Sequence, residues 1–193
     1  MMKSVLIAIR PQRVEKIASG EKTIEVRKSA PQEVPFKAYI YETQGRTETP
    51  WIDEDGHFIY KGRGQVIGDF ICDKVDKIMT LQHTYYNFLG VPLATTTEYC
   101  IWNDDLPQMC LTKKEIEEYG KGKTLYGWHI SDLKIYDKPK ELSEFYTKKK
   151  CNSCKKSGYE STACMYDEDC KVPMSITRAP QSWQYVEDLG EEE

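Results

Sequence analysis

The sequence lacks any apolar run long enough to cross a bilayer as a helix. Its opening, Met1-Met2-Lys3-Ser4, leads into only about five apolar residues, too few for a signal peptide. Both absences point to a cytoplasmic protein with no membrane partner. Histidine is scarce, with three in 193 residues, and no order of serine, histidine and aspartate suggests a triad. There is no Walker loop and no dinucleotide fingerprint, which argues against the common nucleotide-hydrolysing and dehydrogenase folds. There is no internal repeat beyond a short echo of Ile9-Arg10-Pro11-Gln12 in residues 176–181. Nor is there an excess of positive charge. The formal net charge is −4, which argues against nucleic-acid binding by bulk electrostatics alone.

The distribution of charge is more informative than its sum. The last seven residues carry five acids and no base, which leaves the rest of the chain at about +1. Residues 1–28 hold seven bases against three acids, and residues 140–156 hold six lysines against two acids. A basic face on a nearly neutral body is therefore available, and residues 187–193 read as a disordered acidic tail.

Cysteine is concentrated. Four of seven fall within twenty residues, as Cys151-x2-Cys154-x9-Cys164-x5-Cys170. The residues between them are polar and turn-prone and cannot build an apolar core. Four thiolates form a closed tetrahedral zinc site, and the neighbouring lysines offset its residual negative charge. Disulfides would need an oxidising compartment, and free thiols are the third alternative. Cys72, Cys100 and Cys110 read as small buried hydrophobes.

The segment Gly20-Glu21-Lys22-Thr23-Ile24-Glu25-Val26-Arg27 carries the most chemistry. On a strand, side chains alternate faces, so Ile24 and Val26 enter a core while Glu25 and Arg27 point together into solvent or a cleft. Upstream, Val5-Leu6-Ile7-Ala8-Ile9 has strand character, Arg10-Pro11 ends it, and Val14, Ile17 and Ala18 recur at helical spacing before Ser19-Gly20. The order is strand, short helix, tight turn, strand.

This arrangement resembles the ASCH domain, a branch of the PUA-like β-barrel superfamily. The family pattern G-x-K-x-x-E-x-R falls on Gly20, Lys22, Glu25 and Arg27. Ala8-Ile9-Arg10-Pro11, Val14-Glu15-Lys16-Ile17 and the later segment from Tyr126 to Leu133 extend the likeness. It covers roughly residues 3–145 and resumes at about 175–186. Within the superfamily, acetylcytidine amidohydrolases look like the nearest enzymatic precedent. There, a lysine matching Lys22 works with a threonine three residues on and a distant glutamate; here Glu25 stands at the threonine's position. Some ASCH-like proteins are reported as ribonucleases.

The remaining chain reads as short strands with few helices. Strands are expected over residues 36–41 and 65–72, with Gly68 marking a bulge or a close backbone approach. A long hairpin or loop is expected over 42–64, and one or two short helices over 77–110. Thr112 and Glu115 form a capping box for a helix ending at Gly120. Residues 125–136 alternate again, with Trp128, Ile130, Leu133 and Ile135 inward and a bulge near Ser131-Asp132. Residues 137–150 read as a polar linker, and Trp183–Val186 as a last strand. His129 reads as a solvated or hydrogen-bonded strand histidine.

Together these readings give an α+β chain: a PUA-like small mixed β-barrel with short flanking helices. It forms one domain over 1–193, with a zinc-bound insertion at 148–172. The resemblance implies RNA or nucleotide binding in a cleft around Arg10, Lys22, Glu25 and Arg27. Arg178 and Trp183 are candidate base contacts, because an aromatic flanked by arginine can stack and read a base. A hydrolase of a modified nucleoside or of RNA, using Lys22 and Glu25, and a protein-interaction module are the alternative functions.

Overall fold

The computed structural model describes residues 2–44, 51–52, 58–59, 62–101, 105–147 and 174–190. The four clustered cysteines lie outside the described residues. The elements in chain order are β1 (Lys3–Ile9), α1 (Pro11–Ala18), β2 (Ile24–Arg27), β3 (Phe36–Glu42), β4 (Trp51–Ile52), β5 (Phe58–Ile59) and β6 (Val66–Cys72). They continue as β7 (Val75–Ile78), β8 (Thr80–Tyr86), β9 (Pro92–Tyr99), α2 (Asp105–Met109), α3 (Lys113–Gly120), β10 (Leu125–His129) and β11 (Ser131–Lys140). A 3-10 turn at Leu142–Glu144, β12 (Tyr146–Thr147), β13 (Met174–Ser175) and β14 (Trp183–Val186) complete the chain. This is a sheet-dominated α+β protein.

The chain divides into two compact units that interleave in sequence. The first comprises residues 1–12, 36–70 and 134–193. It carries most of a five-stranded mixed sheet in the order β11-β6-β3-β1-β14. Strand β1 runs parallel to β3 and antiparallel to β14, and six of its seven residues are buried. Leu6, Tyr39, Val66, Phe145, Ile176 and Val186 form its core, with the Tyr39 and Phe145 rings edge to face. Gly68 is needed because a Cβ there would sit 2.3 Å from the Lys134 carbonyl oxygen on the neighbouring strand. The close approach read from sequence is thus a sheet contact.

The second unit comprises residues 13–35 and 71–133. Its three-stranded antiparallel sheet, β2-β10-β7, packs Ile24, Val26, Ile78 and Leu125 with Met109 of α2 and Ile116 of α3. The predicted capping box is present: Thr112 and Glu115 each satisfy the other's backbone amide, and Lys121 closes α3 in the left-handed region.

Several expectations need correction. Among the described residues the strands form separate open sheets, and none closes into a barrel. The five-stranded sheet ends on β11 and β14, which do not pair with each other. One or two short helices were expected within residues 77–110; α2 is one among the described residues, and most of the rest forms β7 and the β8–β9 hairpin. The hairpin buries neither face, so no alternation of apolar and polar residues was required of it. The expected linker at 137–150 continues β11 to Lys140, and Ile135, expected inward, is exposed. Residues 187–189, read as part of the acidic tail, make contacts with the first unit. The Glu187 amide donates to the Tyr146 carbonyl, Asp188 accepts from the Tyr39 hydroxyl, and Leu189 packs on the first core.

Candidate functional site

Three of the motif's charged side chains meet inside the second unit. A left-handed Gly20 turns the chain after α1, and the Lys22 amide bonds back to the Lys16 carbonyl. That turn delivers Lys22 into the interior at the start of β2. Its side chain is 1% exposed. The ammonium donates to the carbonyls of Ile24 at 2.8 Å and Met109 at 2.6 Å, and lies 3.3 Å from the Glu25 carboxylate. Three acceptors around three N–H groups leave the ammonium no donor for a ligand.

Glu25 is the hinge of the cluster. One carboxylate oxygen faces Lys22, and the other lies 3.0 Å from the Arg27 guanidinium. Arg27 and the Lys28 amide also bond to the Tyr119 hydroxyl, and the Lys28 ammonium lies over the Tyr119 ring. Glu25 and Arg27 each keep about a tenth of their side-chain surface open. The sequence reading put these two on an open face. Instead all four residues of β2 are buried, so the face carrying Glu25 and Arg27 is covered as well as the one that packs on α2 and α3.

Burial lowers the Lys22 pKa below the ordinary lysine value, and the Glu25 charge opposes that shift. Two cations share one carboxylate, so the cluster carries an excess of one positive charge. The neighbouring charges are paired with each other. Arg13 bonds to the Glu115 carboxylate at 2.7 Å and to the Cys110 carbonyl, and Lys16 bonds to Glu21 at 2.9 Å. Gly20, Glu21 and Thr23 of the motif line an open cleft of about 930 Å³, walled opposite by residues 106–108, 110–112 and Glu115. The motif therefore has a buried side, the ion cluster, and an open side, the cleft.

The other candidates lie elsewhere. Arg10 and Arg178 are exposed residues of the first unit. Trp183, at the start of β14, is half-buried with its ring 5.4 Å from that of Tyr185. His129 bonds to Asp76 at 2.6 Å on the adjacent strand, which makes it a hydrogen-bonded strand histidine. The sequence reading missed Arg13, Glu115, Tyr119 and the Met109 carbonyl. Arg13 comes from α1 just upstream, and the other three reach the site from distant segments that no local pattern marks. Among the described residues no group of histidine, cysteine or acidic side chains is arranged to hold a metal ion, and no helix is long and apolar enough to cross a membrane.

No protein-family model matches the sequence, and no curated protein matches it significantly. Solved structures do match. The crystal structure of ASCH from Zymomonas mobilis superposes with a TM-score of 0.51 at 16% identity, over 96% of this chain and 88% of that one. A serine-to-alanine mutant of that protein gives 0.50 at 16% identity, over 96% and 89%. The chain has an ASCH-like fold. At this identity the ASCH likeness speaks for the fold alone, so the chemistry must be argued from this chain's own residues.

Proposed function

We propose that the protein binds RNA or a nucleotide-like ligand, with Glu25 and Arg27 at the contact and Lys22 behind them. The observation that carries this reading is the buried Lys22–Glu25–Arg27 cluster. Removing three charges from water is costly, and such clusters are weak contributors to stability. Burial and specific charge partners acting together are a recurring feature of functional sites. The excess positive charge suits an anionic ligand, and a guanidinium grips phosphate through two parallel hydrogen bonds. Glu25 fixes the plane of that guanidinium and is itself fixed by Lys22, so Lys22 is a positioning residue in this reading. Arg10, Arg178 and Trp183 are proposed as contacts of the first unit with the RNA, on their residue types and exposure.

A second reading is a hydrolase of RNA or of a modified nucleoside, favoured by the lowered Lys22 pKa beside a carboxylate. Glu25 would take a proton from the attacking water. Glu25→Gln would then abolish turnover while the folded fraction still binds. A protein-interaction module is the third reading, supported if neither RNA nor nucleotides bind. Titration of labelled single-stranded RNA against the protein at several salt concentrations tests the main reading: affinity should fall steeply with salt as phosphate contacts release counterions.

One structural proposal accompanies the function. We propose that Cys151, Cys154, Cys164 and Cys170 hold one structural zinc, because a four-thiolate set suits zinc over magnesium or calcium. Cytoplasmic location goes with these proposals and is checked by cell fractionation.

A further inference from the structure

The β8–β9 hairpin exposes more apolar surface than any other described segment. Met79, Leu81, Tyr85, Tyr86, Phe88, Leu89, Val91 and Leu93 are all more than half exposed, and Phe88 at the turn is 94% exposed. No lysine, arginine, aspartate or glutamate occurs between Lys77 and Glu98. Among the described residues the two strands pair in a sheet only with each other. The outer edge of β8, Thr80-Leu81-Gln82-His83-Thr84-Tyr85-Tyr86, therefore offers its backbone groups without the lysine, proline or inward charge that natural edges use against pairing. The turn itself is well built. The Asn87 carboxamide accepts from the amides of Leu89 and Val91, and the Asn87 amide donates to the Val91 carbonyl.

We propose that this hairpin is a dimerisation element whose partner is the hairpin of a second copy of the chain, β8 pairing with β8 across a two-fold axis. Three observations favour a second copy. First, the edge is uncharged along its length, so self-pairing sets no like charges against each other. Secondly, a fully exposed large side chain presents on the order of 150–250 Å². The eight residues together therefore offer roughly 800–1,000 Å², and a stable dimer buries about 800 Å² per partner. Thirdly, the strand is self-complementary. A two-fold centred on His83 puts Leu81 opposite Tyr85 of the second copy on one face of a four-stranded sheet. The absence of cations disfavours a phosphodiester partner. The threonines, Gln82 and His83 along both strands disfavour burial in hydrocarbon.

The test is sedimentation of the full chain over a range of concentrations. The expected species is twice the 22.4 kDa chain mass. Leu81→Lys with Tyr85→Lys should convert it to monomer, raising the dissociation constant roughly thirtyfold or more, as loss of a hot-spot aromatic does. Both sites are exposed, and an unchanged circular dichroism spectrum checks the fold. Hydrogen exchange on the unmodified chain gives an independent reading: the amides of residues 80–86 should gain protection as concentration rises. A monomer at all concentrations overturns the proposal, as does a dimer indifferent to the double substitution or exchange that ignores concentration. Monomeric protein that co-sediments with phosphatidylcholine vesicles overturns it in favour of a lipid surface. Monomeric protein whose RNA affinity drops with the double substitution overturns it in favour of nucleic acid.

Discussion

Glu25 serves two cations at once, so its loss and theirs are not equivalent. Glu25→Gln leaves Lys22 and Arg27 buried without their counter-charge and should cost about 3–5 kcal/mol. Arg27→Ala leaves the Lys22–Glu25 pair intact and should cost less. Urea denaturation midpoints of the two variants decide the order, and equal losses would mean Glu25 is not shared. Lys22 adds a pH signature. Because burial lowers its pKa in the folded protein, the unfolded chain keeps the proton over a range where the folded chain has released it. Stability then rises with pH from that lowered value up to the usual lysine range near about 10.4. Lys22→Met should remove this rise, so unfolding free energies of the two proteins should diverge toward alkaline pH in favour of the unmodified chain. A difference that stays flat with pH would contradict the lowered value. At this scale the sequence revealed which residues carry charge, and alternation placed Ile24 and Val26 correctly in a core. Alternation could not reveal that the second face of β2 is also covered, because such cover depends on segments far along the chain.

Elements were legible wherever their signal was local. The capping box of α3, the proline start of α1 and the strands around Val5 and Val66 all depend on neighbours within a few residues. The β8–β9 hairpin was not legible, since periodicity reports burial and this hairpin buries neither face. Gly68 shows the reverse case, where one residue announces a contact between elements. Its absent side chain is what lets β11 lie against β6, so Gly68→Ala forces the strands apart or strains them. The substitution should destabilise by roughly 1–3 kcal/mol, read as a lowered thermal midpoint. A neutral result would mean that β11 gives way there at little cost.

For the whole molecule, short motifs in the right order pointed to the ASCH-like fold before any geometry was known, and structural superposition bears that out at 16% identity. The division into two interleaved units was not visible, because the units exchange chain at residues 12–13, 35–36, 70–71 and 133–134 without any shift in composition. The zinc proposal also belongs at this scale. Protein purified without chelator should carry about one zinc per chain. Cys154→Ser should lower that content while leaving the thermal transition of the cores in place, since each core has its own set of apolar residues. Metal-free protein, with Cys151 and Cys154 disulfide-bonded in reducing buffer, would contradict it.

The central claim is that the Glu25–Arg27 pair, backed by Lys22, receives an anionic nucleotide ligand. The most direct measurement is an anisotropy titration of short single-stranded RNA against the unmodified protein and Arg27→Lys, at low and physiological salt. Lysine keeps the charge but loses the planar fork that holds phosphate and carboxylate together. The account predicts salt-dependent binding by the unmodified protein, weakened roughly tenfold, about 1.4 kcal/mol, in a variant that circular dichroism shows to be folded. Binding that is absent at low salt, or identical in the folded variant, would contradict it.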